Sequence, residues 1–212
     1  NQYTAIVEGV KSGKLDVADL DRNVKRILNL IVRSPRFKGY KYTNKPDLTS
    51  HAAVTRQSAT EGMVLLENKN TLPLKENVKN VAVFGVTIYD FIAGGTGSGN
   101  VNRAYTVSLL DGLKNVGYSI DAKVQEKYEA YKKQVAEERA AEAEKNKGNH
   151  LYSFLPQPLP KEIVPTGADL KDAVAANDAA IITLGRISGE FLDRPTDNFN
   201  LSAEELNLIK SV

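Results

Sequence analysis

Val81-Ala82-Val83-Phe84-Gly85 and Ala179-Ala180-Ile181-Ile182-Thr183-Leu184 are the two stretches that decide the fold. Each is a short, uninterrupted apolar run with β-branched residues, the pattern of a strand buried on both faces. Between them lie helical patterns. Ser108–Val116 turns Leu109, Leu110 and Leu113 inward, and Leu170–Ala176 forms another short helix. Residues 123–147 are rich in Lys, Glu and Ala, with both charge signs balanced, and read as an exposed helix. Strands alternating with helices predict an α/β fold around a mostly parallel sheet.

Outward from this core, the N-terminal third is helical. Ile6, Val7 and Val10 share one face of a first helix that Ser12-Gly13 stops. Asp16 suits the N-cap of a second helix carrying Leu20, Val24, Ile27, Leu28 and Ile31 as one stripe, ended by Ser34-Pro35. Two such helices cannot cover that stripe alone, so they are expected to dock on something larger. Residues 37–50 lack a period and read as a linker. A third helix is expected from about Ala52 to Gly62, then a strand at Met63-Val64-Leu65-Leu66 and a turn pinned at Leu72-Pro73-Leu74. Residues 150–166 hold four prolines and form an extended arm. Ser202 with Glu205 three residues on is a capping box for a last helix. The chain runs out inside that helix, so the sheet is expected to be incomplete.

Composition narrows the chemistry. The 212 residues carry 28 Lys and Arg against 26 Asp and Glu, a net charge of +2 that favours neither nucleic acid nor an anionic membrane. Cysteine is absent, which excludes disulfides, thiolate catalysis and cysteine zinc sites. His51 and His150 are far apart in sequence, so neither a metal nor another cofactor is expected. No apolar stretch approaches the roughly 18 residues of a membrane span. The chain opens Asn1-Gln2-Tyr3 without a leader and reads as an excised piece. Any export signal is then expected outside it, with a periplasmic or secreted setting favoured over the cytoplasm.

Two loops could carry chemistry. Gly94-Gly95-Thr96-Gly97-Ser98-Gly99-Asn100 follows the first strand and lets backbone approach a ligand, with Thr96, Ser98 and Asn100 offering polar groups. It lacks the Gly-Lys-Ser/Thr ending of a phosphate loop and the glycine spacing of a dinucleotide loop. A plain surface turn is the alternative. Ser188-Gly189-Glu190-Phe191-Leu192-Asp193-Arg194 follows the second strand, at the sheet edge where α/β proteins bind ligands. A carboxyl there suits proton transfer in glycoside hydrolysis. The alternative is a structural carboxylate paired with Arg186 or Arg194.

Taken in order, these segments resemble glycoside hydrolase family 3 over nearly the whole chain. Gly13–Asp16 through Val24–Leu28 resembles the end of that family's N-terminal barrel. His51, Ala59–Asn68 and Leu72-Pro73-Leu74 resemble the start of its α/β sandwich domain. Gly95–Gly99 matches its G-x-G-S-G loop, and Ser188–Arg194 the S-G-E-x-x-D-R loop of its β-glucosidase-like branch. The resemblance implies a three-layer α/β sandwich at 51–212, with a helical and Pro-rich insertion at about 121–166. It also implies helices of a TIM-like barrel at 1–36, joined by the linker at 37–50. It implies a retaining mechanism on a terminal β-linked sugar, a β-glucosidase or β-xylosidase with glucose favoured, and a small β-glucoside or oligosaccharide as substrate. Glu190 is the implied acid/base, Ser98 with Gly97 and Thr96 touch the sugar, and Asp193 and Arg194 support the Glu loop. The Asp nucleophile belongs to the barrel, outside these residues, so the piece alone is expected to be inactive. A carbohydrate-binding or regulatory domain without catalysis is the competing reading. Phe191 departs from the family, which often has Gly after the Glu.

Overall fold

A computed structural model describes residues 1–95, 97–99, 101–149, 152, 157–187 and 193–212. The chain separates into two compact units, Asn1–Glu67 and Asn68–Val212.

The first unit holds three helices, α1 (Gln2–Lys11), α2 (Val17–Arg33) and α3 (Leu48–Glu61). Asp16 accepts the Ala18 N–H as expected of an N-cap. Helix α3 starts four residues ahead of the expected Ala52, because Asp47 accepts the N–H groups of both Thr49 and Ser50 at 3.1 Å. The helical part thus reaches into what reads as linker. Met63–Leu66 is not a strand: it is irregular and exposed. An apolar run becomes a strand only beside a hydrogen-bonding neighbour, and this one has none among the described residues. The apolar stripe of α2 is exposed within this unit, with Val24, Ile27, Leu28 and Ile31 each at least 46% accessible.

The second unit is built on a parallel sheet of β1 (Asn80–Phe84), β2 (Ser119–Ile120) and β3 (Ala179–Ile182), in the order β2-β1-β3. Val81 to Phe84 face Ala179 to Ile182 residue for residue. Central β1 is buried on both faces, as its uninterrupted apolar sequence requires. β3 is only half-buried, less than its composition suggests, because it has a neighbour on one side alone among the described strands. Asp178 fixes the register by accepting the Lys79 and Asn80 N–H groups at 2.8 and 2.9 Å. Those two donors hold its carboxyl below the usual aspartate range.

Around the sheet pack α4 (Val86–Tyr89), α5 (Leu109–Asn115), α6 (Ala122–Lys145), α7 (Gly167–Ala176) and α8 (Ala203–Ser211). Capping boxes at Ser108, Thr166 and Ser202 start α5, α7 and α8. The charged helix α6 is not exposed throughout: Val124 and Tyr128, one turn apart, are buried against the core. Tyr128 stacks on Tyr89 with ring centroids 4.6 Å apart. At Asn68 the expected Leu72-Pro73 turn is held by the side chain, which accepts the Thr71 and Leu72 N–H groups at 3.0 Å.

The strand order places the site. From β1 the chain moves to β2 on one side, then crosses to β3 on the other. In an open α/β sheet that reversal leaves a crevice outside the carboxyl ends of the two strands it separates, here β1 and β3.

Candidate active site

Both exits of that crevice are shaped by glycines. Gly85, which ends β1, has φ +112°, and a Cβ there would sit 2.1 Å from the Thr183 carbonyl oxygen. Gly185, beyond β3, would place a Cβ 2.3 Å from Cγ2 of Thr87. The two strand exits therefore touch backbone to side chain, and Thr87 donates to the Thr183 hydroxyl at 3.0 Å to close the seam.

Over this seam opens a cleft of about 620 Å³. Val86 and Thr87 form its floor with Gly185, Arg186 and Ile187, and Asp193, Arg194 and Pro195 line it further along the chain. The segment between, which includes Glu190, lies outside the described residues, but both of its flanks open onto one cleft. A neighbouring groove of about 380 Å³ shares Thr87, Gly185 and Arg186 and is walled by Phe91 and Ile92. These two residues lead into the glycine loop. Thr96 of that loop is also outside the described residues, whereas Gly97, Ser98 and Gly99 form a single 3₁₀ turn. Gly95 lies so close to Gly99 that a Cβ would come within 3.3 Å of its Cα, so the loop folds back on itself. Ser98 is exposed.

Arg186 organises the flanks. Its five N–H donors meet five acceptors. Nε reaches the Asn198 carbonyl at 2.8 Å, and Nη1 the Gly185 carbonyl at 2.7 Å and Glu205 at 2.5 Å. Nη2 reaches the Asn200 carbonyl and Glu205, both at 2.8 Å. All five donors of this guanidinium are thus met by Asn198, Gly185, Asn200 and Glu205. Arg194 also donates to Asn198, to its side-chain oxygen at 2.9 Å and its carbonyl at 3.2 Å. One carbonyl thus accepts from arginines on both sides of residues 188–192. Sequence reasoning missed the Arg186–Glu205 pair, since nothing in a 19-residue separation reveals it. Glu205 was legible as a capping residue, and it does cap, accepting the Ser202 N–H at 2.7 Å.

The pair carries a pH signature. Arg186 holds the Glu205 carboxyl below the usual glutamate range, the hydrogen bond being the main cause. A carboxylate lowered on folding stabilises fully above its unfolded value of about 4.3, and that stability is lost as pH falls through its folded value. Glu205→Gln should cost about 2 kcal/mol at neutral pH, because it leaves a half-buried guanidinium without its counter-charge. It should also lose stability more gently than the parent below about pH 4. Urea unfolding followed across pH by circular dichroism measures both.

The cleft is also lined by the proline arm. Glu162 is half-buried there and accepts the Val86 N–H at 2.9 Å and the Tyr128 hydroxyl at 3.2 Å. Burial pushes its carboxyl above the ordinary range. Tyr128 in turn accepts the Gly85 N–H at 2.9 Å. No sequence signal singled out Glu162; only the fold brings it 76 residues back to the start of α4.

A parallel sheet packed by helices, with a cleft at the switch point between β1 and β3, defines the class. The profile of the glycosyl hydrolase family 3 C-terminal domain matches residues 63–212, and the chain belongs to that family. β-Glucosidase A of Butyrivibrio fibrisolvens is 34% identical over 146 residues, 68% of this chain and 16% of that protein. The thermostable β-glucosidase B of Acetivibrio thermocellus is 31% identical over 166 residues, 77% of this chain and 22% of its own length. Among solved structures, β-glucosidase 3B of Thermotoga neapolitana in complex with α-D-glucose matches with a TM-score of 0.81 and 38% identity, covering 98% of this chain and 28% of that one. The chain therefore spans less than a third of each of these proteins. No helix among the described residues is long and apolar enough to cross a membrane.

Proposed function

We propose that this chain contributes the acid/base half of a retaining β-glycosidase, most simply a β-glucosidase, with Glu190 as the proton-transferring carboxyl. In the first step the Glu190 carboxyl donates its proton to the glycosidic oxygen as an Asp of the N-terminal domain attacks the anomeric carbon. In the second, the carboxylate takes a proton from water, which displaces the enzyme carboxylate from the sugar. Ser98, Gly97 and Thr96 approach the sugar from the glycine loop. Asp193 and Arg194 position the Glu loop. We assign residues 1–36 to the closing helices of the barrel, 37–50 to a linker and 51–212 to the sandwich.

The observation that carries this reading is the Arg186 clamp. A proton donor must be held within hydrogen-bond reach of its oxygen. Here a fully saturated guanidinium and the shared Asn198 carbonyl fix both flanks of residues 188–192 at the switch-point cleft. The relatives named β-glucosidase point to the same chemistry.

A retaining pair needs its two carboxyl groups about 5–5.5 Å apart, and the second comes from outside these residues. The 212-residue chain by itself should show no turnover of an aryl β-glucoside, even at high enzyme concentration and long incubation. Hydrolysis well above a blank would contradict this reading.

A further inference from the structure

The cleft has a second wall whose role the acid/base assignment leaves open. Six consecutive residues, Gln157 to Glu162, line it together with Gly185–Ile187 and Asp193–Pro195. This arm has no regular structure of its own, yet it is fixed from both sides. Arg139 of α6 donates to the Pro158 carbonyl at 2.6 Å, and Tyr131 of α6 to the Lys161 carbonyl at 3.0 Å. Glu162 ties its end to Val86 and Tyr128. Pro158 and Pro160 restrict the backbone between these anchors, and Leu159 lies close enough to Gly185 that a Cβ there would come within 3.2 Å of it. Ordering the arm has thus been achieved before any ligand arrives, which lowers the cost of binding.

The wall mixes apolar Pro158, Leu159 and Pro160 with polar Gln157, Lys161 and Glu162. Gln157 and Lys161 are exposed and line the cleft, where they bring an amide and an ammonium. Among the described lining residues there is no aromatic ring on which a flat group could stack. At about 620 Å³ the cleft falls within the range of pockets that enclose ligands of drug size, about 300–1,000 Å³. That is room for more than the group next to the scissile bond.

We propose that the Gln157–Glu162 arm is the leaving-group wall of the site, and that Lys161 and Gln157 select a hydroxylated leaving group, a second sugar, over an aryl one. The inference rests on Glu190 being the proton donor, because only then does the cleft beside its flanks receive the departing half of the substrate. A sugar presents hydroxyls that both accept from the ammonium and exchange hydrogen bonds with the amide. A nitrophenyl group brings only weakly accepting nitro oxygens and no donor for the amide oxygen.

The test uses the enzyme formed with its N-terminal domain and compares kcat/KM for a β-linked glucose disaccharide with that for 4-nitrophenyl β-glucoside. Lys161→Ala and Gln157→Ala change exposed side chains and should leave the protein folded. Each should lower the disaccharide-to-aryl ratio about tenfold, the size of one ordinary hydrogen bond, mainly through the KM of the disaccharide. A ratio within twofold of the parent for both variants overturns the wall assignment. So does an equal fall on both substrates. Glu190→Ala run alongside separates the two claims. If it leaves hydrolysis intact, the acid/base reading has failed. If it abolishes hydrolysis while the ratio is unmoved in the arm variants, only the wall has.

Discussion

Glu190→Ala in the enzyme formed with its N-terminal domain should lower kcat on a β-glucoside with a poor leaving group by about a hundred- to ten-thousand-fold. The loss should shrink sharply for a dinitrophenyl glucoside, whose departure needs little protonation. Added azide should restore turnover on that substrate, because a small anion can attack the glycosyl-enzyme where the missing carboxylate would have activated water. The pH profile carries the same information: the basic limb of kcat/KM, which reports the acid in its protonated form, should disappear. Steady-state kinetics on the two substrates, with and without azide, decide the matter. An unchanged rate on the poor substrate would instead favour a domain that binds carbohydrate without acting on it.

Gly85→Ala should have the largest effect on folding. Its φ of +112° is open to glycine and costly for any residue with a Cβ. The added methyl would also meet the Thr183 carbonyl oxygen at 2.1 Å and its hydroxyl at 2.6 Å. That carbonyl belongs to the segment hydrogen-bonded to β1, since Thr183 donates to the Phe84 carbonyl at 2.9 Å. Relief would therefore require prying β3 from the only strand it pairs with among those described. A loss of at least about 4 kcal/mol follows, a large part of what a domain this size commands. Circular dichroism and urea titration of the variant should show a second unit largely unfolded at room temperature. A stable variant with native spectra would show that the seam between the strand exits can slide.

These expectations depend on how much the sequence reveals. β1 and β3 are legible because a strand covered by helices needs no polar face, so the apolar run is unbroken from Val81 to Phe84 and from Ala179 to Ile182. The same rule misleads at Met63–Leu66, where composition suits a strand but no neighbour among the described residues receives it. β2 escapes notice because two residues, Ser119 and Ile120, are too short to show a period. In α6, the burial of Val124 and Tyr128 is hidden by the charges that dominate the rest of the helix. The capping residues Asp16 and Ser202 are local and could be read directly.

The site divides in the same way. The glycine turn and the Asp193-Arg194 flank announce themselves as compact motifs. The cleft that the Asp193-Arg194 flank lines lies at the switch point between β1 and β3, and that point follows from a strand order which depends on β2. Glu162 and Glu205 reach the cleft through pairings 76 and 19 residues long. A glutamate whose partner is chosen by the fold carries no mark of it in the sequence.

The most direct test of the account is a crystal structure of the enzyme formed with its N-terminal domain, bound to an unhydrolysed β-glucoside analogue. The Glu190 carboxyl should stand within about 3 Å of the glycosidic oxygen and about 5–5.5 Å from the attacking aspartate. A Glu190 turned away from that oxygen, or a separation of about 6.5–9.5 Å with water between the two carboxyl groups, would contradict it.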